Sequence, residues 1–72
     1  MNNLNVAKIQ LNGSPYEINH GIKLNELLNK LKIQKNKVAV EVNGEIIEKN
    51  KYPNLILSKD DKVEIVKFIG GG

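Results

Sequence analysis

The sequence predicts an α+β fold in which one helix packs on one face of a mixed sheet of four to five strands. Several segments alternate apolar and polar residues, as half-buried strands do. Two Asn-Gly pairs mark tight turns between such segments, and a single segment has helical periodicity. The 72 residues suffice for one domain. A leucine-rich helix face must be covered, and only a sheet remains to cover it.

The first hairpin is the best-marked part of the chain. The segment Ala7–Leu11 alternates, Asn12-Gly13 follows as a turn, and Pro15–Ile18 alternates again. Residues 1–5 are polar and without pattern, so we expect a frayed end there.

The predicted helix is defined by four leucines spaced at i, i+3, i+4 and i+7, namely Leu24, Leu27, Leu28 and Leu31. Its start is poorly marked, because Lys23 stands where a Ser, Thr or Asp cap is usual. Ile22, just before it, is expected to pack back on the first turn.

The second half of the chain is predicted to complete the sheet. Its segments are a strand Val38–Val42, a turn Asn43-Gly44, a short strand Glu45–Glu48, a loop Lys49–Pro53, an apolar piece Leu55–Leu57 and a final strand Lys62–Phe68. We expect the first and last strands to lie side by side in the middle. The predicted core comprises Ile9, Leu11, Ile18, Leu24, Leu27, Leu28, Leu31, Val38, Val40, Val42, Ile47, Leu57, Val63 and Ile65.

Composition argues against several classes of function. Without cysteine there is no disulfide, thiolate metal site or cysteine nucleophile. The net charge of +3 is carried by scattered lysines without any arginine, and aromatic residues are few. We therefore do not expect nucleic-acid binding. No apolar run approaches the roughly 18–20 residues of a membrane span, so a soluble cytoplasmic protein is expected.

The chain ends in Ile69-Gly70-Gly71-Gly72. A run of glycines makes a thin tail that can thread a channel closed to larger residues. At about 3.3–3.6 Å per extended residue, these four residues reach roughly 13–14 Å. We predict a domain over 1–69 with a flexible tail over 70–72, and we interpret the α-carboxylate of Gly72 as the reactive group. The alternative is that the glycines are only a spacer.

Five stretches of this chain resemble the β-grasp fold of ubiquitin-like proteins, and within it the ThiS family of thiamin-biosynthesis sulfur carriers. They are Ile9–Gly13, Leu27-Leu28, Val38–Ile47, Asp61–Val66 and Gly70–Gly72. The stretch Val42–Ile47 and the glycine end are the most specific. Lys23 departs from the family pattern, which usually has Thr or Ser at the helix cap.

The resemblance implies a route by which the terminal carboxylate acquires sulfur. A ThiF-like partner would use ATP and magnesium to adenylate Gly72, with Gly71 beside it in the reacting tip. A sulfur-donating persulfide enzyme would then displace AMP to leave a thiocarboxylate, and a ThiG-like thiazole synthase would receive the sulfur. The resemblance thus implies a monomeric protein co-substrate rather than an enzyme, without a bound cofactor or metal.

Val66 and Phe68 are candidates for partner binding. By alternation they face away from the helix, on a surface that Ala39 and Glu41 should share. Apolar residues exposed beside a functional tail suggest a docking patch. Ile69 and Gly70 would enter the partner's groove with the tail. Two alternatives are ordinary scattered surface residues and coverage by the N-terminal segment.

Other candidate residues have simpler interpretations. His20 has no ligand partners at metal spacing, Asp60-Asp61 is typical of a turn, and Gly13 and Gly44 lack phosphate-loop spacing. Two alternative functions remain: a sulfur carrier for molybdopterin synthesis or tRNA thiolation, and a β-grasp interaction module or lysine-linked modifier.

Overall fold

The computed structural model describes residues 5–68, in which one α-helix packs on one face of a five-stranded sheet. The elements are β1 Val6–Leu11, β2 Ser14–Asn19, α1 Leu24–Lys30, β3 Val38–Val42, β4 Glu45–Ile46 and β5 Lys62–Lys67. The predicted α+β class and the order of its elements are confirmed. The predictions for residues 1–4 and for the tail from residue 69 onward lie outside the described residues.

The sheet joins two antiparallel hairpins through a central parallel pair. Its strand order is β2-β1-β5-β3-β4, in which β1 and β5 run parallel and the other neighbours antiparallel. The prediction that the first and last strands lie together in the middle is therefore confirmed. The predicted reactive tail thus follows directly on the central strand.

Both predicted Asn-Gly turns close two-residue hairpins. Asn12 and Gly13 have φ values of 49° and 84°, and Asn43 and Gly44 have 54° and 83°. Positive φ at both central positions defines a type I′ turn, whose twist matches that of the flanking strands. Asparagine and glycine are the residues that reach this region at least cost.

The core lies between the helix and the inner face of the sheet. Its buried residues are Ile9, Ile18, Ile22, Leu24, Leu27, Leu28, Val38, Val40, Val42, Tyr52, Leu57 and Val63. Four residues of the predicted core are only half-buried and pack around this cluster, namely Leu11, Leu31, Ile47 and Ile65. Ile22 and Tyr52 are core residues that the predicted list omits.

The prediction that Lys49–Pro53 forms a loop is wrong in part. Lys49–Lys51 forms a turn of 3₁₀ helix, and Tyr52, directly after it, is fully buried. The Tyr52 carbonyl accepts a hydrogen bond of 3.1 Å from the Asn25 backbone N–H, which ties the turn to the start of the helix. A lone tyrosine in a polar segment has no periodicity, but its large apolar area drives it inward.

The helix begins with half of a capping box. The Glu26 side chain accepts a hydrogen bond of 2.9 Å from the backbone N–H of Lys23. In a complete capping box, the Glu26 backbone N–H would also donate to the side chain of the cap residue. The Lys23 ammonium group has no acceptor for that bond. The expectation of a poorly capped start is therefore confirmed.

The Tyr52→Phe variant should keep its stability at neutral pH within about 1 kcal/mol, because the Tyr52 hydroxyl has no partner in hydrogen-bond geometry among residues 5–68. Burial raises the pKa of this hydroxyl above its ordinary value of 10.0, and the nearby Val40 backbone opposes the effect only in part. The unfolded chain therefore ionises first as pH rises above about 10, and wild-type stability falls there. Urea unfolding at neutral and alkaline pH should show a smaller fall in the variant.

Tyr16→Phe is the matched control, since it removes the other tyrosine hydroxyl from a half-buried position on β2. It should retain the wild-type fall in stability at high pH. Equal alkaline profiles for wild type and Tyr52→Phe would contradict this account of the buried hydroxyl.

Candidate functional site

The outer face of the sheet carries the predicted docking residues on its central strands. Ala39 pairs with Val66 across β3 and β5, and Glu41 pairs with Glu64. Directly paired residues share a face, so the prediction that Ala39 and Glu41 lie with Val66 on this surface is confirmed. The Val66 side chain is 59% exposed.

Ile46 is a further apolar residue of this face that the sequence-based assignment missed. It pairs with Glu41 on β4 and is 71% exposed. Counting outward from the two-residue turn at Asn43-Gly44 would have found it, because the second residue after the turn lies opposite the second residue before it. We call the surface formed by Ala39, Glu41, Ile46 and Val66 the docking face, to which strand alternation also assigns Phe68.

Phe68, the last described residue, is held in place although its side chain is 57% exposed. Its backbone N–H donates a hydrogen bond of 3.0 Å to the Lys37 carbonyl. The Lys49 Nζ lies 5.6 Å from the centroid of its ring and donates a hydrogen bond of 3.2 Å to the Val38 carbonyl. An ammonium at this distance is attracted to the ring. The residue before the tail is therefore fixed by both its backbone and its side chain.

The Asn12 side chain extends the pairing between β1 and β5. Its Oδ1 accepts a hydrogen bond of 2.8 Å from the Ile65 N–H, and its Nδ2 donates one of 3.4 Å to the Ile65 carbonyl. The regular register of these strands includes the pair Leu11 and Val63. The side-chain amide of Asn12, directly after β1, thus takes the place of a further strand residue and holds β5 near its C-terminal end.

The Asn43 side chain supports the beginning of β5 in a similar way. Its Oδ1 accepts a hydrogen bond of 2.9 Å from the Lys62 N–H, and its Nδ2 donates one of 2.9 Å to the Asp61 carboxylate. That carboxylate also accepts a bond of 2.8 Å from the Ser58 N–H. The interpretation of Asp60-Asp61 as a turn former is therefore confirmed for Asp61.

None of the acidic or histidine side chains between residues 5 and 68 is buried. Between residues 5 and 68, no group of three His, Cys, Asp or Glu side chains is arranged to hold a metal ion. His20 lies exposed in the turn between β2 and the helix. No helix in the same range is long and apolar enough to cross a membrane.

The structure brings together the predicted docking residues that it describes. Val66 lies near the end of β5 with Ala39 directly beside it on the docking face, and Phe68 follows that strand. The binding role of Val66 and Phe68 stays a prediction. The other predicted site residues, Ile69 and Gly70–Gly72, lie outside the described residues, and their roles stay predictions.

Comparisons with known proteins place this fold among the β-grasp proteins. The ThiS family profile matches residues 9–72. The crystal structure of the thiamine biosynthesis protein ThiS from Geobacter metallireducens superposes with a TM-score of 0.79 at 34% identity, covering 90% of this chain and 99% of that one. The sulfur carrier protein ThiS of Bacillus subtilis is 41% identical over 49 residues, which are 68% of this chain and 74% of that protein.

A longer relative contains a segment similar to almost the whole chain. The thiazole synthase of Magnetococcus marinus is 43% identical over 65 residues, which are 90% of this chain but only 20% of that protein. The chain therefore spans about a fifth of the length of this relative.

The fold and its family profile define a ubiquitin-like β-grasp protein of the sulfur-carrier class. The chain belongs to the ThiS family, whose members are sulfur carriers in thiamin biosynthesis.

The Asn12→Ala variant should lower the free energy of unfolding by about 2 kcal/mol. It removes two hydrogen bonds to Ile65, worth about 1 kcal/mol each at most in an exposed position. It also places alanine at a φ of 49°, which costs about 1 kcal/mol. Urea denaturation measures the change.

The Asn12→Gly variant separates these two effects, because glycine accepts the positive φ while losing both side-chain bonds. Its stability should fall between those of wild type and Asn12→Ala. A glycine variant as stable as wild type would show that the bonds to Ile65 contribute nothing.

Proposed function

We propose that this chain carries sulfur as a thiocarboxylate on Gly72 for the synthesis of the thiamin thiazole ring. Membership of the ThiS family is the observation that carries the proposal, since the family profile extends through the glycine tail to residue 72. Gly71 and Gly72 form the reacting tip. Ile69 and Gly70 lead it into the partner's active site, and Val66 and Phe68 contact the partner outside.

The chemistry requires activation by a partner. A terminal carboxylate has a pKa of about 3.3–3.7, so it is ionised at neutral pH and is a poor electrophile. A ThiF-like enzyme with ATP and magnesium supplies the leaving group by forming an acyl-adenylate and releasing pyrophosphate. The terminal sulfur of an enzyme persulfide then attacks the acyl carbon, and AMP leaves. A thiol cleaves the resulting S–S bond, so the thiol is oxidised and the thiocarboxylate is released.

The body of the chain contributes position rather than catalysis. β5 is the central strand and is hydrogen-bonded on both sides, to β1 and to β3. Phe68 is further fixed through Lys37 and Lys49. Because Phe68 is held in a defined place, a partner that binds the tail has less chain to order, which reduces the entropy cost of binding.

The proposed acceptor of the sulfur is a thiazole synthase. Support comes from the relative of that name in Magnetococcus marinus, in which a segment similar to this chain makes up 20% of the protein. A second thiazole synthase, from Paramagnetospirillum magneticum, has a segment 40% identical over 65 residues. Covalent joining of the two activities suits a carrier that delivers its sulfur to that enzyme.

Intact mass spectrometry tests the proposed chemistry. The purified chain must first have the mass of a protein that ends at Gly72. Incubation with a ThiF-like enzyme, ATP, magnesium, a persulfide donor and a thiol should then replace one oxygen by sulfur. Adding a residue after Gly72 should abolish pyrophosphate release without changing the unfolding midpoint. Sulfur elsewhere on the chain, or normal pyrophosphate release by the extended variant, would overturn the proposal.

Introducing charge on the docking face should weaken partner binding without unfolding the protein. Val66→Asp and Ile46→Asp each place a carboxylate on an exposed position, so the circular dichroism spectrum should not change. The KM of the carrier in the adenylation reaction should rise about tenfold, as expected when an apolar contact worth about 1.5 kcal/mol is lost.

Ile56→Asp is the matched control for these variants. The Ile56 side chain is also exposed, at 55%. Its backbone forms an isolated antiparallel β-bridge with Lys23 at the start of the helix, away from the docking face. Its KM should stay at the wild-type value. An equal rise in all three variants would show that the docking face has no special role.

A further inference from the structure

A groove with lysine walls lies beside the base of the tail, on the helix side of the sheet. It has a volume of about 310 Å³. Seven residues line it: Lys32, Ile33, Gln34, Lys37, Val38, Lys67 and Phe68. They come from the connector that follows the helix, the start of β3 and the end of β5. Phe68 therefore lies between this groove and the opposite, docking face.

The charge of the groove is of one sign. Three of the eleven lysines line it, and none of the acidic residues does. A neighbouring groove shares Lys32, Ile33 and Gln34, adds Lys35, and is also lined without a carboxylate. The favourable effect of positive charge on the carboxyl end of a helix accounts for Lys32. It does not account for Lys67, which lies in β5, whereas Lys37 ends a short 3₁₀ turn over Lys35–Lys37.

Lys32 occupies a backbone position that favours glycine. Its φ is 60°, and its N–H donates to the Asn29 carbonyl while the Ile33 N–H donates to the Leu28 carbonyl. These two bonds form a Schellman motif, in which glycine is the usual residue at the left-handed position. Lysine thus occupies this position at a conformational cost that glycine would not incur.

We infer that this groove binds an acidic segment of the adenylating partner, one that carries carboxylates on either side of an apolar side chain. The inference rests on the proposed function, since it concerns the enzyme that receives the tail. Charge complementarity selects carboxylates as the partners of Lys32, Lys37 and Lys67. The half-buried Ile33 and the exposed ring of Phe68 supply an apolar wall that a free phosphate would not use.

The groove also explains how a partner aligns the tail. Phe68 lines the groove, and strand alternation assigns its side chain to the docking face. An enzyme that contacts both the groove and the docking face binds β5 on its two faces, at the point where the tail begins. Opposite charges across the interface speed the encounter and fix its orientation, and both effects weaken as salt screens them.

The first test is a nuclear magnetic resonance titration of the ¹⁵N-labelled wild-type chain with a short peptide of alternating glutamate and leucine. Shift changes should concentrate on the amides of residues 32–38, 67 and 68. Changes spread over all lysines, or no change, would overturn the inference. Pyrophosphate serves as a second probe, and equal shifts at the same amides would overturn the assignment to a protein segment.

The second test is the salt dependence of adenylation. The double variant Lys37→Gln/Lys67→Gln should raise the KM of the carrier about tenfold at low ionic strength, through the loss of two exposed ion pairs. Its KM should depend less on salt, and kcat should be unchanged. The matched control, Lys23→Gln/Lys59→Gln, makes the same change in net charge outside the groove and should behave like wild type. Equal effects in both double variants would overturn the inference.

Lys32→Gly separates a binding role from a structural one. Glycine suits the positive φ of this position, so the unfolding midpoint should stay the same or rise while the KM increases about threefold. A glycine variant with wild-type KM would assign Lys32 to the helix end alone. If the wild-type chain is not adenylated at all, the proposed function fails, and the peptide titration alone decides whether the groove binds acidic segments.

Discussion

The parallel pairing of β1 with β5 is the interaction on which the rest of the structure depends. It joins the β1-β2 and β3-β4 hairpins into one sheet. Each hairpin alone would be only marginally stable. The regular register is short, with Gln10 opposite Lys62 and Leu11 opposite Val63. The Asn12 side chain then continues it to Ile65, across 53 positions of sequence. Because of this pairing, the strand that leads to the tail lies in the middle of the sheet rather than at an edge.

A single helix can cover one face of this sheet, and the uncovered face is the surface that we propose for partner binding. Ile46, Val66 and Phe68 stay exposed there. Burying an apolar side chain of this size contributes about 1.5–3 kcal/mol, so a partner that covers all three gains several kcal/mol before ordering costs. Glu41 and Glu64, paired across the same face, repel one another in the free chain. The docking face therefore combines exposed apolar side chains with two carboxylates.

Most of the architecture could be predicted from the sequence, because local hydrophobic patterns and turn residues determine it. The leucines of the helix and the two Asn-Gly turns specify their elements without tertiary information. Tyr52 was missed because a single aromatic residue in a polar segment has no period. Ile46 was placed in a strand but not on a face, although the register of the turn determines its face.

The lysine-walled groove could not be predicted from the sequence at all. Lys32, Lys37 and Lys67 come from three elements that meet only when β5 inserts beside β3. The left-handed backbone conformation of Lys32 could not be predicted either, because no neighbouring residue indicates it. The two turn asparagines were predicted as turn formers, whereas their side-chain bonds to β5 follow from the fold alone.

The position of β5 in the sheet also governs when the protein can fold during its synthesis. This strand lies between β1 and β3, yet it is translated after them. A nascent chain that has not released β5 from the ribosome has two unconnected hairpins and an incomplete core, because Val63 is missing. Non-local pairing of this kind forms late. The docking face and the completed core therefore form together, only after β5 has left the ribosome.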